Sequence, residues 1–364
     1  MITNIKVRNF KSIYNKVELD FTKSQINYYE NYVTNDNIVN PIVLYGDNAS
    51  GKSCFLEVFK TIYNLLHIDV NNDTETIYFD YNRYLAKVGE EIEIEVTMML
   101  RGKKYVYQVS GFDFDGIGKE KLYYDDEVIL ESKETVVYKY SKLREVGVSV
   151  VFDDKITKID KHISNVFNFL SNVQFMTLEG SISSNINKNY IDTITQNQDK
   201  INEILKDIIS DFTPVEFIVE RHIDGSRYLT YKEQDSNVQL SVDTHMSNGI
   251  KKLFSILSFL IEVPNNSTVV IDEIENMIHP VTLIKLVQKF NELFNIQLIV
   301  STHNTSLMTK LRPDQIFLVR MKEHNSYIKR LNSIYPKLRE VHNIEKLYYN
   351  ETINKRFDEM MGEK

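Results

Sequence analysis

The spacing of apolar residues changes period several times along the chain. Ile5, Val7 and Phe10 supply the apolar positions of one short strand, and Val17, Leu19 and Phe21 those of a second at period two. A polar, Asn- and Tyr-rich stretch over 23–40 reads as a loop. Pro41–Tyr45 is then a continuous apolar run of the kind buried in a parallel sheet. It leads into a glycine-containing turn and a helix whose apolar residues, Phe55, Leu56, Phe59, Ile62, Leu65 and Leu66, recur every three or four positions.

The pattern shifts after residue 75. Glu91–Thr97 alternates strictly, while Lys104–Val109 and Thr135–Tyr140 are rich in β-branched and aromatic residues, which predicts an antiparallel meander with one solvated face. Residues 161–212 read as helical, ending in Ile201, Ile204, Leu205, Ile208, Ile209 and Phe212, with Pro214 as the stop. A strand pair (Val215–Glu220, Arg227–Lys232) and a helix (Asn248–Ile261) follow. Two very apolar strands, Thr268–Ile271 and Gln297–Val300, flank a helix at Val281–Phe294. The expected division is a core lobe at 1–75, a β insert at 76–160, a helical insert at 161–212 and a second core lobe at 213–364. The fold class is α/β, with a parallel-sheet core split between the two ends of the chain.

Composition narrows the class without choosing a function. The chain of 364 residues is 42% hydrophobic and 26% charged, with 12 Gly and 6 Pro, which excludes a collagenous or disordered polypeptide. A net charge of −8 excludes a polycationic coat but leaves room for a local basic groove. Cys54 stands alone, so no internal disulfide forms. No run approaches the ~18 apolar residues of a membrane span, and Leu253–Val263 is interrupted by serines and Glu262. The start of the chain lacks a signal-peptide apolar core. A cytoplasmic location and no membrane partner are the expectation.

Four segments carry chemistry. Gly46-Asp47-Asn48-Ala49-Ser50-Gly51-Lys52-Ser53 fits the G-x-x-x-x-G-K-[ST] phosphate loop, placed after a buried strand and opening a helix, with Cys54 next in line. Backbone N–H groups and the helix N-terminus suit a polyphosphate, Lys52 adds a point charge, and the Ser53 hydroxyl suits Mg²⁺. Asp272 and Glu273 end an apolar strand, where a parallel sheet binds ligands; Asp272 suits the metal and Glu273 a water-activating base. Ser301-Thr302-His303 ends a second such strand, and a neutral His303 there suits a γ-phosphate or water contact. Ser247 and Gly249 open a helix and make a smaller anion site.

Their order resembles that of ABC-type ATPases, and more narrowly the SMC, RecF and OLD group. The start Ile5-Lys-Val-Arg-Asn9-Phe10-Lys11-Ser12 is similar to the I-x-V-x-N-F-K-S of that group, and the loop through Asn48 to its G-x-N-x-S-G-K-S. Asp272-Glu-Ile-Glu-Asn-Met-Ile-His279-Pro280 resembles the D-E-P-E-N-x-L-H-P of OLD-like ATPases, with Ile274 where proline is usual. Pro336–Tyr348 is similar to the tail of single-chain ATPases in bacterial abortive-infection operons. The Ser-x-Gly element is reduced from the fuller L-S-G-G-Q form, and Gln174 is the candidate for the glutamine that links Mg²⁺ to the inserted arm.

The resemblance implies a P-loop NTPase of the ABC/SMC-head type that uses ATP and Mg²⁺. It also implies a head-to-tail homodimer or higher homo-oligomer, in which Ser247 and Gly249 of one copy cover the nucleotide of the other. Because the chain stops soon after the core, without a carboxylate-rich nuclease region, the expected role is the sensor or regulatory subunit of an anti-phage system. Its effector would then be a separate protein from the same operon. A RecF-like DNA-repair or chromosome ATPase is the alternative, so a nucleic-acid partner stays open. A transporter subunit is disfavoured by the Asn-Phe-Lys-Ser start, and a non-hydrolysing scaffold also stays open.

Overall fold

The computed structural model describes residues 1–66, 87, 89–111, 119–133, 136–137, 142–143, 160–177, 188–275 and 278–361. The described chain forms two compact units. One comprises Met1–Met176, Asn266–Asp272 and Gln297–Lys364, and the other Thr177–Asn265 and Glu273–Ile296.

In the first unit, β1 (Ile2–Arg8) buries Ile2, Ile5 and Val7 on one face. It pairs antiparallel with β2 (Val17–Asp20) and with β4 (Glu93–Leu100), so Ile5 lies opposite both Leu19 and Val96. β5 (Lys103–Ser110), β6 (Lys119–Tyr124), β7 (Glu127–Lys133), β8 (Val136–Val137) and β9 (Lys142–Leu143) extend the ladder. The resulting sheet has eight strands in the order β2-β1-β4-β5-β6-β7-β8-β9. Strict alternation puts Ile94, Val96, Met98, Tyr105, Tyr107, Val109 and Leu122 into the core. Cross-strand ion pairs occupy the other face: Lys6–Glu95 at 2.6 Å, Arg8–Glu93 at 3.0 Å and Lys121–Glu131 at 2.7 Å. Each such pair is worth at most ~1 kcal/mol, so the buried face holds the sheet together.

The second sheet holds the strands that end in the segments singled out in the sequence. β3 (Ile42–Tyr45), buried at all four positions, lies inside the order β10-β14-β15-β3-β16-β17. The other strands are β10 (Val173–Thr177), β14 (Thr268–Asp272), β15 (Gln297–Thr302), β16 (Ile316–Lys322) and β17 (Asn325–Arg330). β14, β15, β3 and β16 run parallel, and β17 returns antiparallel to β16. Strands from both ends of the chain thus complete one split parallel core.

Helix α1 (Lys52–Leu66) packs on β14 and β15 and buries Phe55, Leu56, Val58, Phe59 and Ile62. Leu65 and Leu66 fall outside the described side chains. α2 (Lys161–Ser171) packs on α1, and its N-cap Asp160 accepts the His162 and Ile163 N–H groups. The buried Gln297 side chain stitches the two sheets: it accepts the Ile2 N–H at 2.8 Å and donates to the Ile2 carbonyl at 2.7 Å.

In the second unit, α3 (Lys188–Ile208) packs on β11 (Val215–Arg221), which pairs with β12 (Arg227–Glu233). Asn202 satisfies both backbone groups of Val215. The hairpin's Phe217 meets Phe254 edge-on at 4.8 Å; Phe254 lies on the Asn248–Glu262 helix. The Pro280–Leu293 helix joins through Lys289–Asp207 at 2.8 Å.

One expectation needs correcting. Residues 161–212 are not helical throughout, because Val173-Gln-Phe-Met-Thr forms β10 between α2 and α3. A β-branched and aromatic run beside an open sheet edge gains more from strand pairing than from the weak helix propensity of valine, phenylalanine and threonine. The strand pair Ile316–Arg330 is an addition that the apolar pattern did not reveal. Thr135, Tyr138, Lys139 and Tyr140 of the expected meander fall outside the described residues. No helix among the described residues is long and apolar enough to cross a membrane.

Candidate functional site

The phosphate-loop segment takes the shape its residue types require. β16 runs beside β3 with Leu318 opposite Tyr45, which brings the Val319 carbonyl against Gly46. Any β-carbon at Gly46 would overlap that oxygen. The loop then turns through Ala49 at φ 60° and Gly51 at φ 104°, and the Phe55 N–H reaches the Gly51 carbonyl at 3.0 Å to open α1. Lys52 is nearly buried, and its Nζ donates to the Gly46 and Asp47 carbonyls at 2.9 Å each. The ammonium is therefore held on the backbone of the loop's first two residues. Ser53 is exposed on the first turn of α1, and the Cys54 thiol is half-buried.

The Asn-Phe-Lys-Ser turn and the C-terminal hairpin brace this loop. Asn9 and Lys11 both have left-handed backbones, at φ 50° and 49°, and Phe10 and Ile13 close the turn. Lys11 is buried and forms an ion pair with Glu57 of α1; burial pushes its pKa down. The Ser326 Oγ donates to the Ser50 carbonyl at 2.9 Å and lies 2.7 Å from the Ser12 Oγ. The Ser326 N–H donates to the Ser12 carbonyl at 2.6 Å. Ser326 belongs to this assembly, yet a lone serine in a charged strand carries no motif.

Gly51 is doubly constrained, by its positive φ and by Ser326, whose hydroxyl a β-carbon would overlap. Gly51→Ala is expected to destabilise the fold by about 1–3 kcal/mol. Adding Ser326→Ala is expected to recover only part of that loss, since the backbone strain and the 2.8 Å approach of the residue-326 β-carbon both remain. Urea melts of the single and double variants measure this; full recovery would mean that the serine hydroxyl alone forbids a side chain at Gly51.

The other strands end at the same edge. Ile271 of β14 lies opposite Val300 of β15, so Asp272 stands beside Ser301, whose hydroxyl donates to the Asp272 Oδ1. Thr302 lies opposite Tyr45, so His303 and Gly46 leave adjacent parallel strands at one level. Glu273 follows Asp272 with φ 51° and is exposed. Beyond His303 the Asn304 N–H donates to the Thr302 Oγ1, and the Asn304 side chain caps the 3-10 turn Thr305–Lys310. The phosphate loop, Asp272 and His303 thus share one carboxyl edge within the first unit, where parallel sheets bind ligands.

Ser247 and Gly249 belong to the second unit. Ser247 is the exposed N-cap of Asn248–Glu262, accepting the Ile250 N–H at 3.3 Å. Five residues on, Lys252 is buried, and desolvation pushes its pKa down. Gln174 is the second residue of β10, in the strand next to β14.

The donor set fits a nucleotide with its cation. The Ser53 hydroxyl and Asp272 carboxylate are oxygen donors of the sort a hard divalent ion takes. The Ser50 Oγ is buried without a hydrogen-bond partner among the described residues, a polar atom inside the loop that an anion would satisfy.

Residues 156–309 match the family described as AAA domain, putative AbiEii toxin, Type IV TA system. That span includes β10, Ser247, Asp272, Glu273 and His303 and begins after the phosphate loop. No curated protein matches the chain. Among solved structures, an SMC head bound to the C-winged helix domain of ScpA aligns with a TM-score of 0.56 at 14% identity, over 90% of this chain and 97% of that one. The Smc head domain with an extended coiled coil bound to the C-terminal domain of ScpA, derived from Pyrococcus furiosus, aligns with a TM-score of 0.50 at 12% identity. It covers 90% of this chain and 95% of that one. The fold is a P-loop NTPase fold of the SMC-head type.

Proposed function

We propose that the chain binds and hydrolyses ATP with Mg²⁺ on the edge formed by β3, β14 and β15. The phosphate loop carries this reading. Gly46 and Gly51 are fixed by packing, Ala49 and Gly51 by backbone sign, and the Lys52 ammonium is held on the Gly46 and Asp47 carbonyls. The loop amides of 46–53 and the α1 N-terminus would hold the phosphates, and Lys52 would exchange its two carbonyl contacts for phosphate oxygens. A Mg²⁺ held by Ser53 and Asp272 neutralises phosphate charge when bound. Glu273 would take the proton of the attacking water on its carboxylate, and His303 would hydrogen-bond the γ-phosphate end of the site.

Ser247 and Gly249 of a second copy would cover the nucleotide in a head-to-tail dimer and exclude water, which strengthens every charge contact inside. Within the cell the chain would be the sensor or regulatory subunit of an anti-phage, abortive-infection system, acting on a separate effector. The matched family's description, an AAA domain and putative AbiEii toxin of a Type IV toxin–antitoxin system, is the observation behind a defence setting; it names neither a sensor nor an effector.

Lys52→Ala is expected to weaken ATP binding by about 100-fold, measured by calorimetry on the purified chain. Unchanged affinity would remove the loop from the site. The same variant is expected to abolish protection of host cells challenged with phage. DNA-stimulated turnover with salt-dependent DNA binding would move the role to repair.

A further inference from the structure

The helix Ile344–Tyr349 makes contacts that the proposed chemistry leaves unused. Asn343 caps it by accepting the Lys346 N–H at 2.8 Å, which sets Glu345 in the first turn. The Glu345 Oε1 accepts the Thr305 hydroxyl at 3.0 Å and the Ser306 hydroxyl at 3.2 Å. Tyr349 OH lies 2.7 Å from the same Thr305 hydroxyl. Thr305 and Ser306 open the 3-10 turn that follows His303 and Asn304. The turn therefore rests on a carboxylate brought from far along the chain.

The helix's other contacts lead toward the phosphate loop. Burial first, and then the negative charge of Asp47, push the Tyr348 phenol up, while Arg320 opposes them. Arg320 of β16 also holds Asp358 of the final helix at 3.2 Å. One short helix thus lies against the turn behind His303 and within electrostatic reach of Asp47.

We infer that Glu345 is a positioning residue for His303, fixing the turn that ends the β15 strand exit. The inference rests on the reading of His303 as a contact at the γ-phosphate end. Two hydroxyl donors on one carboxylate oxygen restrict both the turn's backbone and its distance from the helix. Without that oxygen the turn keeps the Tyr349 contact with this helix and its own Asn304 cap, which ties Ser306 to Asn304 but not to the helix. The imidazole would then sample orientations that do not reach the nucleotide, at little cost to binding elsewhere in the loop. A glutamine at this position retains an oxygen acceptor in the same place, so it should substitute, whereas alanine should not.

The test uses the full chain as wild type, Glu345→Ala, Glu345→Gln, His303→Ala and the double variant Glu345→Ala with His303→Ala. In nucleotide-free protein, amide hydrogen exchange over 303–307 is expected to accelerate in Glu345→Ala and to stay near wild type in Glu345→Gln. ATP turnover is expected to fall about tenfold in Glu345→Ala with KM within about twofold. The double variant is expected to be no slower than His303→Ala alone. Unchanged exchange in Glu345→Ala overturns the inference, as do additive losses in the double variant or a glutamine variant as slow as alanine. A wild-type chain that never hydrolyses ATP overturns the proposed function instead, and the exchange measurement still decides whether Glu345 holds the turn.

Discussion

Replacing Glu273 by glutamine is expected to slow ATP turnover by about 10²–10⁴-fold while leaving a long-lived ATP-bound dimer. Glutamine preserves length and one oxygen acceptor but takes no proton at neutral pH, so binding survives and chemistry stops. Glu273 holds φ 51°, one of several left-handed non-glycine residues in the chain, and it stands immediately beyond the β14 strand that delivers Asp272. Strain of this kind costs about 1–3 kcal/mol and persists where surrounding structure over-determines it, as at functional sites. Sedimentation of Glu273→Gln with ATP and Mg²⁺ is expected to show a dimer, whereas Glu273→Gln with Lys52→Ala stays monomeric. A monomer at every concentration in the single variant would defeat the shared-nucleotide arrangement, and with it the role given to Ser247 and Gly249. Turnover close to wild type would instead remove Glu273 as the base.

The parts of this site that could be read from the sequence are those where chemistry dictates residue type at fixed spacing. A loop that presents amides to phosphate needs glycine where Val319 approaches and where φ reaches 104°, so Gly46 and Gly51 appear as letters. Parallel strands buried on both faces are unbroken apolar runs, which is why β3, β14 and β15 stand out. β10 does not, because its strand state comes from an edge beside β14 rather than from its own short run. The joining of β1 to β4 is equally silent, since a register such as Ile5 opposite Val96 is set across a long gap. Ser326 and Glu345 act through one or two polar groups supplied by remote segments. Nothing in their local sequence distinguishes them from solvent-facing neighbours.

The 23–40 stretch shows the same limit in energetic form, and gives the largest expected stability effect. It reads as a loop, and it contains only isolated bridges and one 3-10 turn, yet it is pinned from below by a fully buried arginine. Arg312 meets Asp314 in a two-pronged pair, Nε to Oδ1 at 2.9 Å and Nη2 to Oδ2 at 3.0 Å. Its remaining donors reach the Tyr28 carbonyl at 2.6 Å, the Ile26 carbonyl at 3.1 Å and the Glu30 carboxylate at 3.4 Å. Asp314 accepts the Ser24 N–H at 2.9 Å and the Ser24 hydroxyl at 2.7 Å, so both partners anchor the loop. Asp314→Asn leaves the buried Arg312 charge facing the exposed Glu30 carboxylate at 3.4 Å in place of its two-pronged partner, and is expected to cost about 3–5 kcal/mol at pH 7. Arg312→Met together with Asp314→Leu is expected to cost less than the sum of the single changes, because no lone charge is left behind. Burial pushes the Asp314 pKa up, but the Arg312 and Ser24 hydrogen bonds outweigh it and hold the carboxyl below its ordinary value. A depressed folded-state pKa means the contribution is complete above the unfolded value of about 3.9 and is lost as pH falls through the folded one. The gap between wild type and Asp314→Asn in urea melts should therefore be constant from pH 7 to about 5 and narrow below about 4. A gap that persists undiminished into strong acid would mean that the arginine is held by the Ile26 and Tyr28 carbonyls and not by carboxylate charge.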